Sequence, residues 1–168
     1  MQLVEDDLVR WGRTIGAQVA GPVFLALRGP LGAGKSVLAR AIARGAGGEG
    51  AIPSPTFNLL FRYPREGGGE VVHLDLYRLG DPDEVWEIGW EELGREDEIV
   101  IVEWPERAER HLPRDRWEVR LDPVAGDAFV RRISVDRVGN PPGLPAFPLT
   151  LASTTQPLRT TRFPDAEE

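Results

Sequence analysis

The sequence has no cysteine and a single lysine. Without thiols there can be no disulfides, thiolate metal centres or cysteine nucleophiles, and a reducing compartment suits the chain. Long apolar runs are missing too, since none approaches the roughly 18 residues of a membrane-spanning helix. The acidic start, Glu5-Asp6-Asp7, is unlike the positively charged opening of a secretory leader. Basic residues are outnumbered 20 to 27 by acidic ones, for a net charge of -7. Such a balance offers no broad basic face to a phosphate backbone, so strong unaided nucleic-acid binding is not expected. What remains is a cytoplasmic globular protein. Its 168 residues, 41% apolar and 28% charged, fit one domain with a buried core.

The shortage of lysine is informative in itself. Every basic residue other than Lys35 is an arginine. A lysine kept in such a background marks a place that needs a compact, flexible ammonium and will not take a planar guanidinium.

Leu8, Trp11, Ile15 and Val19 recur at helical spacing and predict an amphipathic helix over residues 4–20, stopped by Gly21-Pro22. Val23–Leu27 has the length of a strand, and residues 35–46 return to helical spacing. The glycines between Gly45 and Gly50 end that helix. Phe57–Tyr63 and Glu70–Tyr77 read as strands of a hairpin turning at Gly67-Gly68-Gly69. Asp81-Pro82-Asp83-Glu84 is a helix start with an Asp cap, Pro at the first position and Glu at the third, predicting a helix to about Leu93. Glu98–Glu103, Trp117–Leu121 and Phe129–Val135 are further strands. The fold class is α/β. Six prolines and no apolar period in residues 139–168 predict a flexible or polyproline-like tail beyond a domain spanning 1–138. Docking of that tail on a partner is the second reading.

Between the first predicted core strand and its helix lies Gly29-Pro30-Leu31-Gly32-Ala33-Gly34-Lys35-Ser36, which fits G-x-x-x-x-G-K-[ST]. Glycines let consecutive backbone N–H groups wrap a phosphate without Cβ clashes, and the helix N-terminus adds a favourable dipole. The expected nucleotide-binding set is Gly29, Leu31, Gly32, Ala33, Gly34, Lys35, Ser36 and Val37. Lys35 is placed to reach the β- and γ-phosphates, and the Ser36 hydroxyl to ligate Mg²⁺. A chance glycine-rich turn is disfavoured by the strand before it, the helix after it and the only lysine inside it. Guanine-reading proteins carry Asn-Lys-x-Asp, for which no second lysine exists, so ATP is expected over GTP.

A phosphate-loop site also needs a carboxylate at the end of an apolar strand. Asp75 and Glu103 each end one. Either could serve a metal directly or through water, and Glu103 could position the attacking water. The alternative for each is a carboxylate that caps a helix or faces solvent. Pro53 and Pro55 stiffen the loop that carries Ser54 and Thr56, and such a loop can present the Thr56 hydroxyl to a phosphate. On that segment alone, an ordinary turn is the better reading.

Taken together, these segments resemble one family. Gly-Pro-Leu-Gly-Ala-Gly-Lys-Ser at 29–36, Ser-Pro-Thr-Phe at 54–57, His-Leu-Asp-Leu-Tyr-Arg-Leu at 73–79, Asp-Pro-Asp-Glu at 81–84 and Val-Glu-Trp-Pro-Glu-Arg at 102–107 resemble the TsaE/YjeE family. That family supplies the ATPase of bacterial tRNA threonylcarbamoyladenosine synthesis. The likeness spans about residues 5–135; the phosphate loop is generic, and the Asp-Leu-Tyr-Arg and Val-Glu-Trp-Pro segments make it specific. It implies a mostly parallel sheet with flanking helices and an antiparallel extension. It further implies weak Mg²⁺-dependent ATP hydrolysis and action with the partners TsaB and TsaD on adenosine 37 of tRNA. Carried over, Lys35 would contact phosphate, Ser36 and Glu103 would ligate Mg²⁺, Thr56 would be the switch threonine, and Asp75 a second carboxylate needed for turnover. The base would lie near Asp6 to Leu8. Nothing in the resemblance covers the tail.

Among the other polar and aromatic residues, His73 shares a strand face with Asp75. A hydrogen-bonded structural histidine is favoured there over a metal pair, for want of a third ligand nearby in sequence. His111 is expected to end a short helix begun near Pro105. Trp86 and Trp90, four apart, predict one aromatic helix face, packed on the sheet or offered to a partner. Trp104 is expected at the mouth of the site, over the nucleotide or against a partner, and Arg78 and Arg107 in surface pairs rather than as charges near the phosphates. Two other functions remain open on the residues alone: a small-molecule kinase, for which no lid insertion is evident, and a nucleotide-dependent binding module without relevant turnover.

Overall fold

The computed structural model describes residues 2–48, 59–65, 67–95 and 97–146. Nine elements carry the fold: β1 (Gln2–Val4), α1 (Glu5–Gln18), β2 (Val23–Arg28), α2 (Lys35–Gly45), β3 (Leu60–Pro64), β4 (Glu70–Asp75), β5 (Ile99–Glu103), β6 (Arg116–Val124) and β7 (Asp127–Val138). The strands form one sheet ordered β1-β7-β6-β2-β5-β4-β3. The four central strands, β6-β2-β5-β4, run parallel. Antiparallel strands extend both edges, β7 and β1 on one side and β3 on the other.

Alternation along the central strands divides the core in two. Val23, Leu25, Leu27, Ile99 and Ile101 face α1 and α2 and pack with Leu8, Trp11, Ile15, Leu38 and Ile42. Phe24, Val72, Leu74, Val100 and Val102 face the other way, against Val85, Trp90 and Ala108 of short 3₁₀ segments. Every residue of β5 is buried, as a central parallel strand covered on both faces must be. The two helices touch backbone to backbone: a Cβ on Gly16 would lie 2.0 Å from the Ile42 carbonyl oxygen. That approach locks α2 against α1 on the same face of the sheet.

Several elements depart from their predicted form. β1 adds three residues to the edge of β7, where no strand was expected. The helix predicted from Asp81 does begin with a capping box, in which Asp81 accepts from the Asp83 N–H and Glu84 from the Asp81 N–H. It is a 3₁₀ helix, however, and Gly89, at a φ of 75°, separates Pro82–Ile88 from Trp90–Glu92. Trp86 and Trp90 therefore do not share a face. Trp90 is buried edge-on to Phe24 and donates to the His111 carbonyl, while Trp86 is half exposed beside the His111 ring.

The chain after β7 also packs. Trp117 Nε1 donates to the Pro142 carbonyl, buried Trp11 Nε1 donates to the Pro145 carbonyl, and Leu144 lies against the helix-side core. Residues 142–145, beyond the boundary expected at 138, thus lie packed against the sheet and α1. The remainder of the predicted tail lies outside the described residues. Among the described residues, no helix is long and apolar enough to cross a membrane.

Candidate functional site

The carboxyl ends of β2, β4 and β5 converge on one cleft. In register, Leu27 of β2 pairs with Glu103, and Glu103 pairs with Asp75 of β4. His73, Asp75 and Glu103 all occupy odd positions, so they share the sheet face that α2 covers. Residues 31–37 with Asp75, Tyr77, Glu103 and Trp104 line a cavity of about 270 Å³.

The loop from Gly29 to Ser36 leaves β2 and enters α2 as its sequence predicts. Gly29 has a φ of 138°, and a Cβ there would meet the Leu121 carbonyl oxygen of β6 at 2.1 Å. Only glycine lets the loop start so close to the sheet. Gly34, which precedes α2, has a φ of 102° and turns the loop into the helix. Arg28, just before the loop, is anchored by Glu118 and Glu109, and its pKa is raised chiefly by the hydrogen bond to Glu118. Burial alone would raise the Glu118 carboxyl; hydrogen bonds from Arg28 and Arg116 outweigh it and leave that group below the ordinary carboxylate value.

Lys35 is buried at 4% exposure. Its ammonium donates to the carbonyls of Gly29 at 2.7 Å and Pro30 at 2.9 Å and lies 3.8 Å from the centre of the Trp104 ring. Burial lowers its pKa below the ordinary lysine value, against the opposing pull of Glu103, Glu106 and Asp75. A compact ammonium suits these short contacts to two carbonyls and a ring face, in keeping with the one lysine kept in the chain. Trp104, at a φ of 58°, directs its ring toward the lysine and touches Tyr77.

Ser36 Oγ donates to Glu103 Oε2 at 2.8 Å, and Glu103 Oε1 lies 2.8 Å from His73 Nε2. Asp75 ends β4 and accepts from the Tyr77 N–H through Oδ1, a local turn that stops the strand. The predicted residues Lys35, Ser36, Asp75 and Glu103 thus meet in one place. Thr56 and the Ser-Pro-Thr-Phe segment lie outside the described residues. Arg78 and Arg107 are exposed.

His73 is the hydrogen-bonded histidine expected, though its partner was not foreseen, and one further neighbour, Arg131, was not foreseen at all. His73 reaches Glu103 rather than forming a pair with Asp75. Arg131 of β7 donates to the Ala33 carbonyl at 3.2 Å and steadies the loop from its far side. One arginine among nineteen carries no signal in sequence, whereas His73 was visible as a buried strand residue without its partner. Beyond Arg131, a second cleft of about 290 Å³ lies between Asp6, Leu8, Gly34 and Phe129. It includes the segment expected to meet a base.

The donors in the main cleft, a hydroxyl and two carboxylates, are hard oxygens of the kind Mg²⁺ takes when it also holds phosphates. The residues fit that ion.

A family model described as threonylcarbamoyl adenosine biosynthesis protein TsaE matches residues 4–133. A relative from Streptomyces coelicolor, a tRNA threonylcarbamoyladenosine biosynthesis protein TsaE, is 36% identical over 132 residues, covering 76% of this chain and 88% of the relative. Proteins of the same description from Mycobacterium tuberculosis and Bacillus subtilis are 39% and 33% identical, covering 71% and 69% of this chain and 76% and 70% of their own. The crystal structure of YdiB from Bacillus subtilis superposes with a TM-score of 0.61 at 27% identity, covering 83% of this chain and 84% of YdiB. A phosphate loop in this setting implies nucleotide binding. With its fold, motifs and relatives in agreement, the chain belongs to the TsaE family.

Proposed function

We propose that this protein binds ATP with Mg²⁺ in the cleft between α2 and the ends of β4 and β5. It hydrolyses the ATP slowly alone and faster with TsaB and TsaD, in the threonylcarbamoylation of adenosine 37 of tRNA in the cytoplasm. The observation that carries this reading is the Ser36–Glu103 hydrogen bond of 2.8 Å beside the Lys35 ammonium. It brings a hydroxyl, a carboxylate and a cation together at the opening of a phosphate loop.

In this reading the backbone N–H groups of Gly32 to Ser36 cradle the phosphates, and the Lys35 ammonium leaves its loop carbonyls for phosphate oxygens. Ser36 and Glu103 would hold Mg²⁺, which would supply neutralisation of phosphate charge there. Asp75 orients water near the reacting phosphate, and Thr56 acts as the switch threonine. Trp104 covers the lysine and keeps bulk water from it. The base rests toward Asp6, Leu8 and Phe129. The net charge of -7 suits a protein that energises a tRNA-modifying complex without gripping the tRNA itself.

Measuring ADP release with and without TsaB and TsaD, and against a panel of small acceptors, tests this reading. Stimulation by the partners and indifference to acceptors are expected. Phosphorylation of an acceptor would make the protein a kinase, and a rate that no partner raises would make it a binding module.

A further inference from the structure

The two carboxylate oxygens of Glu103 have different neighbours. Oε2 accepts from Ser36 Oγ and faces the phosphate loop. Oε1 is 2.8 Å from His73 Nε2, in a place where His73 has no exposure and Glu103 has 2%. An ionised carboxylate can only accept, so the ring donates through Nε2. His73 Nδ1 has no hydrogen-bond partner among the described residues. That is consistent with a bare ring nitrogen, because an N–H there would be a buried donor with no acceptor. The register explains how the ring arrives: His73 lies opposite Ile101, and Glu103 is the next residue on the same face of β5.

We propose that His73 is a positioning residue that reserves Glu103 Oε1, leaving Oε2 as the one oxygen offered to a divalent cation, and so favours Mg²⁺ over Ca²⁺. This rests on the reading of the cleft as a Mg²⁺–ATP site. Mg²⁺ demands near-octahedral geometry and keeps several waters, taking few protein oxygens. Ca²⁺ takes six to eight oxygens at longer range and readily uses both oxygens of one carboxylate. A carboxylate with one oxygen held in a buried hydrogen bond serves the first ion and handicaps the second. Losing such an outer partner typically costs about 10- to 100-fold in metal affinity.

The test uses the full chain and a labelled non-hydrolysable ATP analogue. The Mg²⁺ and Ca²⁺ concentrations giving half-maximal analogue binding are measured for the wild type, H73M and H73Q. Methionine fills similar volume without a donor, and glutamine keeps an N–H near the position of Nε2. The preference for Mg²⁺ over Ca²⁺ is expected to fall about tenfold or more in H73M and to be largely restored in H73Q. An unchanged preference in H73M, or no restoration in H73Q, overturns the inference. Wild-type protein that binds no analogue, or binds it without regard to either cation, overturns the underlying reading instead. A second measurement needs no substitution: ¹⁵N spectra of the imidazoles in the Mg²⁺–analogue complex, where His73 and His111 are the only histidines. A proton on His73 Nε2 is expected; a bare Nε2 overturns the inference even if H73M does not fold.

Discussion

The hydroxyl of Ser36 donates to Glu103 Oε2 at 2.8 Å, joining residues 67 apart in sequence. Parallel pairing of β2 with β5 brings them together, because it sets the end of β5 beside the start of the phosphate loop. Glu103 is therefore held against the group that would share its cation, whereas Asp75 is tied by Oδ1 to the Tyr77 N–H.

Glu103→Gln and Asp75→Asn should accordingly fail differently. E103Q keeps size and hydrogen bonding but loses the charge facing Ser36. Its ATP turnover should fall at least about 100-fold, the scale of one well-placed catalytic group, with ATP still bound by the loop and Lys35. D75N should slow turnover with a smaller change in apparent Mg²⁺ affinity. Mg²⁺ titrations of ATP hydrolysis on both variants check this, and a larger loss of Mg²⁺ affinity in D75N would reverse the two assignments.

Nucleotide choice follows from the single lysine. With Lys35 committed to the phosphate loop, no Asn-Lys-x-Asp segment exists to read guanine. Mg²⁺-ATP should displace Mg²⁺-GTP readily in a competition titration. At about 100 times its dissociation constant, ATP should add roughly 2.7 kcal/mol of stability, visible as a melting shift that equal GTP does not match.

Lys35 also makes stability depend on pH with a definite sign. Burial lowers its pKa in the folded protein below the unfolded value. Between those two values the unfolded chain binds more protons, so stability from this group rises with pH. Below the folded value the cost of the buried charge is fully present. Denaturation of wild type and Lys35→Met, compared from neutral pH toward the ordinary lysine value of about 10.4, should show the wild type gaining on the variant. A constant difference across that range would mean the ammonium is not desolvated.

Much of this site was legible because it is local in the chain. The apolar run Val23–Leu27, the glycines after it and the lysine before a helical period are neighbours in sequence, and Asp75 and Glu103 each directly follow an apolar run of their own. What escaped was set by register or by a single backbone conformation. His73 meets Glu103 only because β4 and β5 pair in one register. The split of the 82–92 helix depends on Gly89 and on 3₁₀ geometry, which spacing rules for an α-helix do not anticipate. The packing of residues 139–146 runs through indole donors and proline carbonyls, contacts that leave no apolar period to read.

Those contacts of residues 142–145 should add to stability. A chain ending at residue 146 keeps the partners of Trp11 and Trp117 and the contact of Leu144, and one ending at 138 loses all three. Each lost hydrogen bond costs about 0.5–1.5 kcal/mol, and the Leu144 contact goes with them. The shorter chain should melt lower by about 5 °C or more. Equal melting temperatures would place the domain boundary at 138 after all.

A cleft that drives tRNA modification through ATP must be needed in the complete reaction. Threonylcarbamoyl incorporation into tRNA should be measured with purified TsaB and TsaD, supplemented with wild-type protein, with E103Q, or with neither. Multiple rounds of modification are expected only with the wild type, and E103Q should leave the reaction close to the level seen without added protein. Equal modification in all three would contradict the account.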